Sequence, residues 1–274
     1  TGHERTRLFA WYNVGGNLTG ALGSLASGLP ALVAHAYDVD LLVAERAGFV
    51  VYALVAIVIA RLYLQLGSEV ETRIATGGPL ARSRRVVMQL AALFSLDSFG
   101  GGFVVQSLLV LWLYRRFQLS VQVAGAIFFA AGLLAAFSQF VAARLAARIG
   151  HVRTMVFTHL PANVFLLLAG LMPTAPLAVF FLLLRTSLSS MDVPARQAYV
   201  MAMVPREERA AASSVTNVPR SLASAVSPLI TGVLLEKTSF GWPLLCAGAL
   251  KAAYDLILFA QFAHLRPADE PAGA

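Results

Sequence analysis

The sequence predicts an all-α membrane protein that crosses the bilayer eight times. Three observations lead there. Mean hydropathy is +0.72 over 274 residues and 58% of residues are hydrophobic, more apolar surface than one water-facing domain can hide. Charged residues make up only 13%, about half of the ~25% usual in soluble domains. Finally, the apolar residues fall into eight long runs, each able to cross a hydrocarbon core of ~30 Å as a helix of ~20 residues.

Taken in order, the spans cover 8–34, 42–65, 86–114, 122–147, 154–172, 176–200, 210–235 and 243–264. Helices satisfy their own backbone groups in lipid, and the runs are continuous rather than alternating, so strands are excluded. Asp38 to Asp40 ends the first span. PTAP at 173–176 separates the fifth from the sixth, and PREER at 205–209 follows the sixth. The longest polar stretch, 66–85, is a linker that divides two spans from six. Loop arginines and lysines fix the direction. One side holds Arg5, Arg7, Arg73, Arg82, Arg84, Arg85, Arg148, Arg153, Arg206, Arg209 and Arg266, and the other holds Arg115, Arg116 and Lys237. The richer side is cytoplasmic by the positive-inside rule, so both ends of the chain are expected inside.

The net charge of +7 is thereby a matter of topology, and no nucleic-acid partner is expected. Arginine outnumbers lysine 19 to 2, which points to a GC-rich bacterial genome and hence to a bacterial inner membrane. Cys246 is the sole cysteine, and His3, His35, His151, His159 and His264 form no HExxH-like pair, so neither a disulfide nor a metal is expected. No GxxxxGK[ST] loop and no supported Ser/His/Asp set occur, so neither an ATPase nor another enzyme is expected, and no cofactor is. The chain opens on Thr1 rather than Met and reads as a piece with its beginning missing.

An internal repeat organises the spans. ERTRLFAWYNVGGNLTGALGSLASG (4–28) and ERAAASSVTNVPRSLASAVSPLITG (208–232) align without gaps, with 8 of 25 positions identical. Glu4/Glu208, Arg5/Arg209, Asn13/Asn217 and Val14/Val218 are among them. Spans one and two therefore correspond to spans seven and eight, and four helices are expected ahead of Thr1. Six-plus-six designs of this kind are common in secondary transporters.

With this repeat the sequence resembles the major facilitator superfamily, as the fifth to twelfth helices of a twelve-helix fold. ARLAARIGHVR (143–153) is similar to the family's cytoplasmic loop G-x-L-a-D-R-x-G-R-R: Leu145, Arg148 and Gly150 match, while Ala143 and Ala147 replace the Gly and the Asp. GSLASG (23–28) resembles the G-P-x-x-G-G element of drug antiporters, with Ser24 and Ser27 in place of Pro and Gly. The resemblance implies three parts: residues 1–65 end an N-terminal six-helix half, 66–85 form the cytoplasmic linker, and 86–274 form the C-terminal half. It implies a lipid-embedded secondary transporter of a small organic molecule, coupled to protons. Export is the leading direction; a proton-coupled uptake symporter, or a non-transporting membrane scaffold or truncated inactive product, is the alternative.

The charges inside the spans are the candidate site. Asp97 lies roughly 16 Å into span three and precedes Ser98-Phe-Gly-Gly-Gly102, where glycines weaken the helix. It is the proton-coupling candidate. Arg185, Arg220, Asn13, Asn217, Gln106 and Phe103 are candidates for the substrate cavity. At ~100° per residue, Arg185, Ser189, Asp192 and Arg196 share one helix face, with Arg196 able to snorkel to the inner interface. Lys251 and Asp255 form an i,i+4 pair in span eight. Asp192, Arg196, Lys251 and Asp255 read equally as a gate or as structural ion pairs. His159 and Pro161 are expected to pack in the bundle, and Gly16, Gly20, Gly23 and Ser27 to let helices approach.

Overall fold

The computed structural model describes residues 2–65 and 78–263, all of it helix, turn or short connection. Side chains of residues 2–10 and of Ala143 are outside that description, as are linker residues 66–77 and the chain from 264 on. Eight spans are present among the described residues, as the sequence predicts.

Three of the eight are broken, and the sequence explains each break. The first span is α1 (Gly2–Ala26) followed by α2 (Leu29–Tyr37). Pro30 lies at the start of α2, where its missing N–H costs nothing but where its ring excludes the carbonyl four residues earlier. Asp38 takes a left-handed conformation with φ 51°, which turns the chain back, and Asp40 caps α3 (Leu41–Leu64) by accepting from Leu42 N at 2.9 Å. The third span is α4 (Arg84–Gly102) and α5 (Gln106–Phe117), parted just after the three glycines. The sixth is α8 (Ala175–Ser189) and α9 (Asp192–Met203). Pro194 removes a donor there, and the freed Ser190 carbonyl accepts from Gln139 Nε2 at 2.7 Å.

The remaining spans are α6 (Val121–Ile149), α7 (His151–Leu171), α10 (Arg209–Lys237) and α11 (Trp242–Phe262). A single residue, Gly150, joins α6 to α7 with φ 84°, a conformation that L side chains resist. Of the loop-motif residues, Gly150 thus has a backbone reason to be glycine, Arg148 is exposed and Leu145 is half-buried. A 3-10 turn, Arg206–Glu208, leads into α10.

Helix α10 packs along α4, α11 along α7 and α4, and α1 along α6. The α4–α10 contact is backbone-close: a Cβ on Gly102 would sit 2.6 Å from the Ser224 carbonyl. Helix α10 also satisfies carbonyls at the broken end of α4. Ser227 Oγ donates to Phe99 O, and Thr231 Oγ1 donates to Phe103 O at 3.2 Å. Against α1 the tight residues lie on α6, where a Cβ on Gly125 or Gly132 would meet Ser24 O or Ala21 Cβ at 2.6 Å. Gly16, Gly20 and Gly23 have nothing within 4 Å among the described residues, so the close approach expected of that face is made from the other helix.

Two apolar layers fill the interior. One joins Leu90, Phe94, Met155, Tyr199, Tyr254 and Phe262; the other joins Phe103, Trp112, Leu166, Leu182, Leu235 and Leu244. Along α4, α7 and α11 the residues between these layers are polar: Asp97, His159, Asn163, Lys251 and Asp255. A charged sheet is thus enclosed between two oily ones. Helix α3 differs, burying Ala44 alone among its residues.

Candidate functional site

The site is built outward from Asp97. Its carboxylate is 5% exposed, so each oxygen needs a partner. Oδ1 accepts from Lys251 Nζ on α11, and Oδ2 accepts from Arg196 Nη1 on α9 at 3.0 Å. Arg196 also reaches Asp192 Oδ2 at 3.4 Å, one helical turn back, and stacks its guanidinium over Phe94 at 5.5 Å. A second carboxylate, Asp255, is fully buried and bound from α7. His159 Nδ1 lies 2.9 Å from Oδ1, and Asn163 Nδ2 donates to Oδ2 at 2.8 Å. A carboxylate only accepts, so His159 Nδ1 carries the hydrogen of that bond. The other ring nitrogen, Nε2, then faces Asp97 Oδ1 at 3.8 Å. One imidazole bridges two buried acids.

The sequence expectations fare unevenly here. Lys251 and Asp255 are not partners: an i,i+4 spacing brings them to one face of α11, but each turns to a different helix, Lys251 to α4 and Asp255 to α7. Arg196 does not snorkel; it is buried and points back into the bundle, because the break at Ser190–Met191 redirects α9 inward. That break also ends the continuous polar stripe expected from Arg185 to Arg196. His159, expected only to pack, is central. The sequence signal for it is the i,i+4 spacing from Asn163 within a mostly apolar run, a weak one because neither residue carries a fixed charge.

One residue from Asp97 a second region opens. Ser98, Asn217, Arg220, Ser221 and Ser224 line a recess of about 380 Å³ between α4 and α10. Residues 217, 220, 221 and 224 recur at helical spacing, so one polar face of α10 forms its wall. Arg220 Nε donates to Ser98 Oγ at 2.7 Å. Asn217 Nδ2 donates to Ser213 Oγ at 3.2 Å. Arg220 and Asn217, predicted for the cavity, are thus both on it. Phe103 is not: it is buried in the upper apolar layer, edge-on to Phe99 at 5.5 Å. Gln106 ties α5 to α1 by donating to Ser24 Oγ at 2.9 Å, and Asn13 has its amide nitrogen buried on α1, away from the recess lining. Arg185 stands within electrostatic reach of Asp97, with its Nε buried and unbonded.

A third feature lies at the inner end. The Glu208 carboxylate accepts from the backbone N–H groups of Ala81, Arg82 and Ser83 at 3.2, 2.9 and 3.1 Å, and from Ser83 Oγ. It fastens the end of the linker to the turn before α10 and occupies the positive N-terminus of α4. Its counterpart in the repeat is Glu4, whose side chain is outside the described residues.

Eight bundled spans, three of them broken, enclose a charged layer, which is the architecture of a polytopic membrane protein. The family model described as Major Facilitator Superfamily matches residues 90–273, and the chain belongs to that superfamily. It is therefore a multi-pass membrane protein of a transporter family, not an enzyme family. It is also similar to the uncharacterized membrane protein YJR124C of Saccharomyces cerevisiae, with 28% identity over 178 residues. That match takes in 65% of this chain and 40% of the yeast protein.

Proposed function

We propose that the chain is the larger part of a secondary transporter that exports a small organic molecule in exchange for protons. In this reading residues 1–65 complete an N-terminal half, 86–274 form the C-terminal half, and the two rock about the midplane. The arginine-rich loops face the cytoplasm, and the membrane is a bacterial inner membrane.

One observation carries the coupling: the buried imidazole of His159 stands between Asp255 at 2.9 Å and Asp97 at 3.8 Å, beside Lys251 and Arg196. A proton arriving at His159 Nε2 adds positive charge next to a carboxylate already shared by two cations. That weakens the hold of Asp97 on Arg196, and Arg196 is the tie between α4 and the broken sixth span. Proton binding and loosening of α9 are thereby linked through one carboxylate, which is what alternating access requires of a coupling group. Asp97 remains the coupling acid, with His159 as the group that relays to it.

The test compares the solutes released by cells of the native host that overproduce the intact protein with those released by cells lacking its gene. One or a few small molecules should accumulate outside the overproducing cells, and a protonophore, Asp97→Asn or His159→Gln should abolish the rise. Accumulation inside the cells instead would make the protein an uptake symporter. A solute profile that does not change on either side of the membrane would remove the transport reading.

A further inference from the structure

The two regions around Asp97 and Ser98 differ in their charge balance. Among the described residues the interior acids are Asp97, Asp192 and Asp255, and the interior cations with a fixed charge are Arg185, Arg196, Arg220 and Lys251. All three acids are committed. Asp97 takes Lys251 and Arg196, Asp192 takes Arg196, and Asp255 takes His159 and Asn163. Arg185 and Arg220 are left with no carboxylate within ion-pair distance among the described residues. An uncompensated charge at this depth is costly unless it meets a counter-ion or a wet cavity.

Arg220 has the cavity. Its Nε is held by Ser98, which orients the guanidinium and leaves both terminal nitrogens without an acceptor among the described residues. Around it stand the Asn217 amide and the hydroxyls of Ser221 and Ser224, all able to donate, and the lining contains no carboxylate. The wall contains no aliphatic or aromatic side chain either. A recess of about 380 Å³ is in the range that holds small ligands, ~300–1,000 Å³. A fixed, forked cation ringed by neutral donors matches the planar oxygens of a carboxylate or the oxygens of a phosphate, and repels an organic cation.

We propose that this recess is an oxyanion site, and that the transported molecule is a small hydrophilic organic anion whose carboxylate or phosphate binds Arg220. This rests on the transporter reading and narrows its substrate class from a small organic molecule to an anion. The anion supplies the close counter-charge that Arg220 lacks among the described residues.

The experiment uses the intact protein in vesicles of zwitterionic phosphatidylcholine, so that no net-anionic lipid competes for the recess. Counterflow is measured for radiolabelled succinate, glycerol 3-phosphate, glycerol and putrescine. Succinate or glycerol 3-phosphate should exchange while glycerol and putrescine do not, and which anion moves distinguishes a carboxylate site from a phosphate site. Arg220→Gln should lower that exchange about tenfold or more, and Arg220→Lys should recover part of it, since a charge returns without the fork. Size-exclusion profiles of both variants confirm folding. As a second readout, the moving anion should raise the unfolding temperature of the wild type and not of Arg220→Gln. Exchange of glycerol or putrescine without either anion overturns the anion site and leaves the transporter reading standing. So does anion exchange that Arg220→Gln leaves unchanged. If neither anion moves through folded wild-type protein or raises its unfolding temperature, the anion site is overturned, while the transporter reading stands or falls on the released-solute comparison.

Discussion

Asp97 and Ser98 are consecutive residues of α4, yet they belong to opposite kinds of interior. Around Asp97 each of three carboxylates has its donors, Asp97 taking Lys251 and Arg196, Asp192 sharing Arg196 and Asp255 taking His159 and Asn163, in a layer between two apolar ones. Around Ser98 a guanidinium faces an open recess lined by neutral side chains, with Asp97 and Asp192 in electrostatic reach but not within ion-pair distance. The helical turn separates them, because 100° of rotation sends one side chain toward α9 and α11 and the next toward α10. The difference teaches that the same stretch of helix serves two purposes. The closed cluster holds the broken helices together, and the recess holds a cation with no carboxylate within ion-pair distance among the described residues.

Breaking the closed side should produce the largest effect. Asp97→Leu leaves Lys251 buried without any acid and Arg196 with Asp192 alone. A broken buried pair costs on the order of 3–5 kcal/mol, so this variant should unfold far more readily than wild type in detergent. Asp97→Leu combined with Lys251→Met should regain more than half of the loss, since the orphaned ammonium is gone. Failure of the double variant to recover would mean that Lys251 is not what Asp97 neutralises.

How much of this was legible beforehand follows from what lipid demands. Each span must be continuous and apolar, so the eight spans and the charges inside them stand out in one dimension. Where a helix breaks is also written locally: Pro30, Pro194 and Gly100 to Gly102 sit at the three interruptions, although carrying a regular helical face straight through Pro194 misplaced Arg196. Partnership is not local. Lys251 has an acid one turn away in Asp255 and takes another 154 residues distant, because packing of α11 between α4 and α7 decides which carboxylate is within reach. His159 carried no fixed charge to draw notice, and only the fold sets it between two acids. The recess was half legible. Asn217 and Arg220 share a polar face of α10, but nothing in the sequence shows that Ser98, rather than an acid, meets Arg220.

At the border between the two regions a smaller change is expected. Ser98→Ala removes the acceptor that fixes Arg220 Nε, a part-buried bond to a charged donor. Its loss should cost about 1 kcal/mol of stability. Chemical denaturation of the purified protein measures this directly. A loss as large as that of Asp97→Leu would mean that the recess is as much a structural joint as the cluster, and the contrast between them would collapse.

The smallest effect on folding should come from the recess itself. Arg220 is only half-buried and pairs with no acid among the described residues, so Arg220→Gln removes an unanswered charge rather than half of a pair. Glutamine retains an amide that can still donate to Ser98. Stability should therefore stay within about 0.5 kcal/mol of wild type, the range of substitutions that break no buried pair. Read beside the same variant's expected loss of anion exchange, this is the sharpest form of the comparison: at Asp97 charge removal unfolds, and at Arg220 charge removal disarms. A marked destabilisation by Arg220→Gln would mean that the guanidinium has a structural counter-charge after all, and the recess would no longer need an anion to complete it.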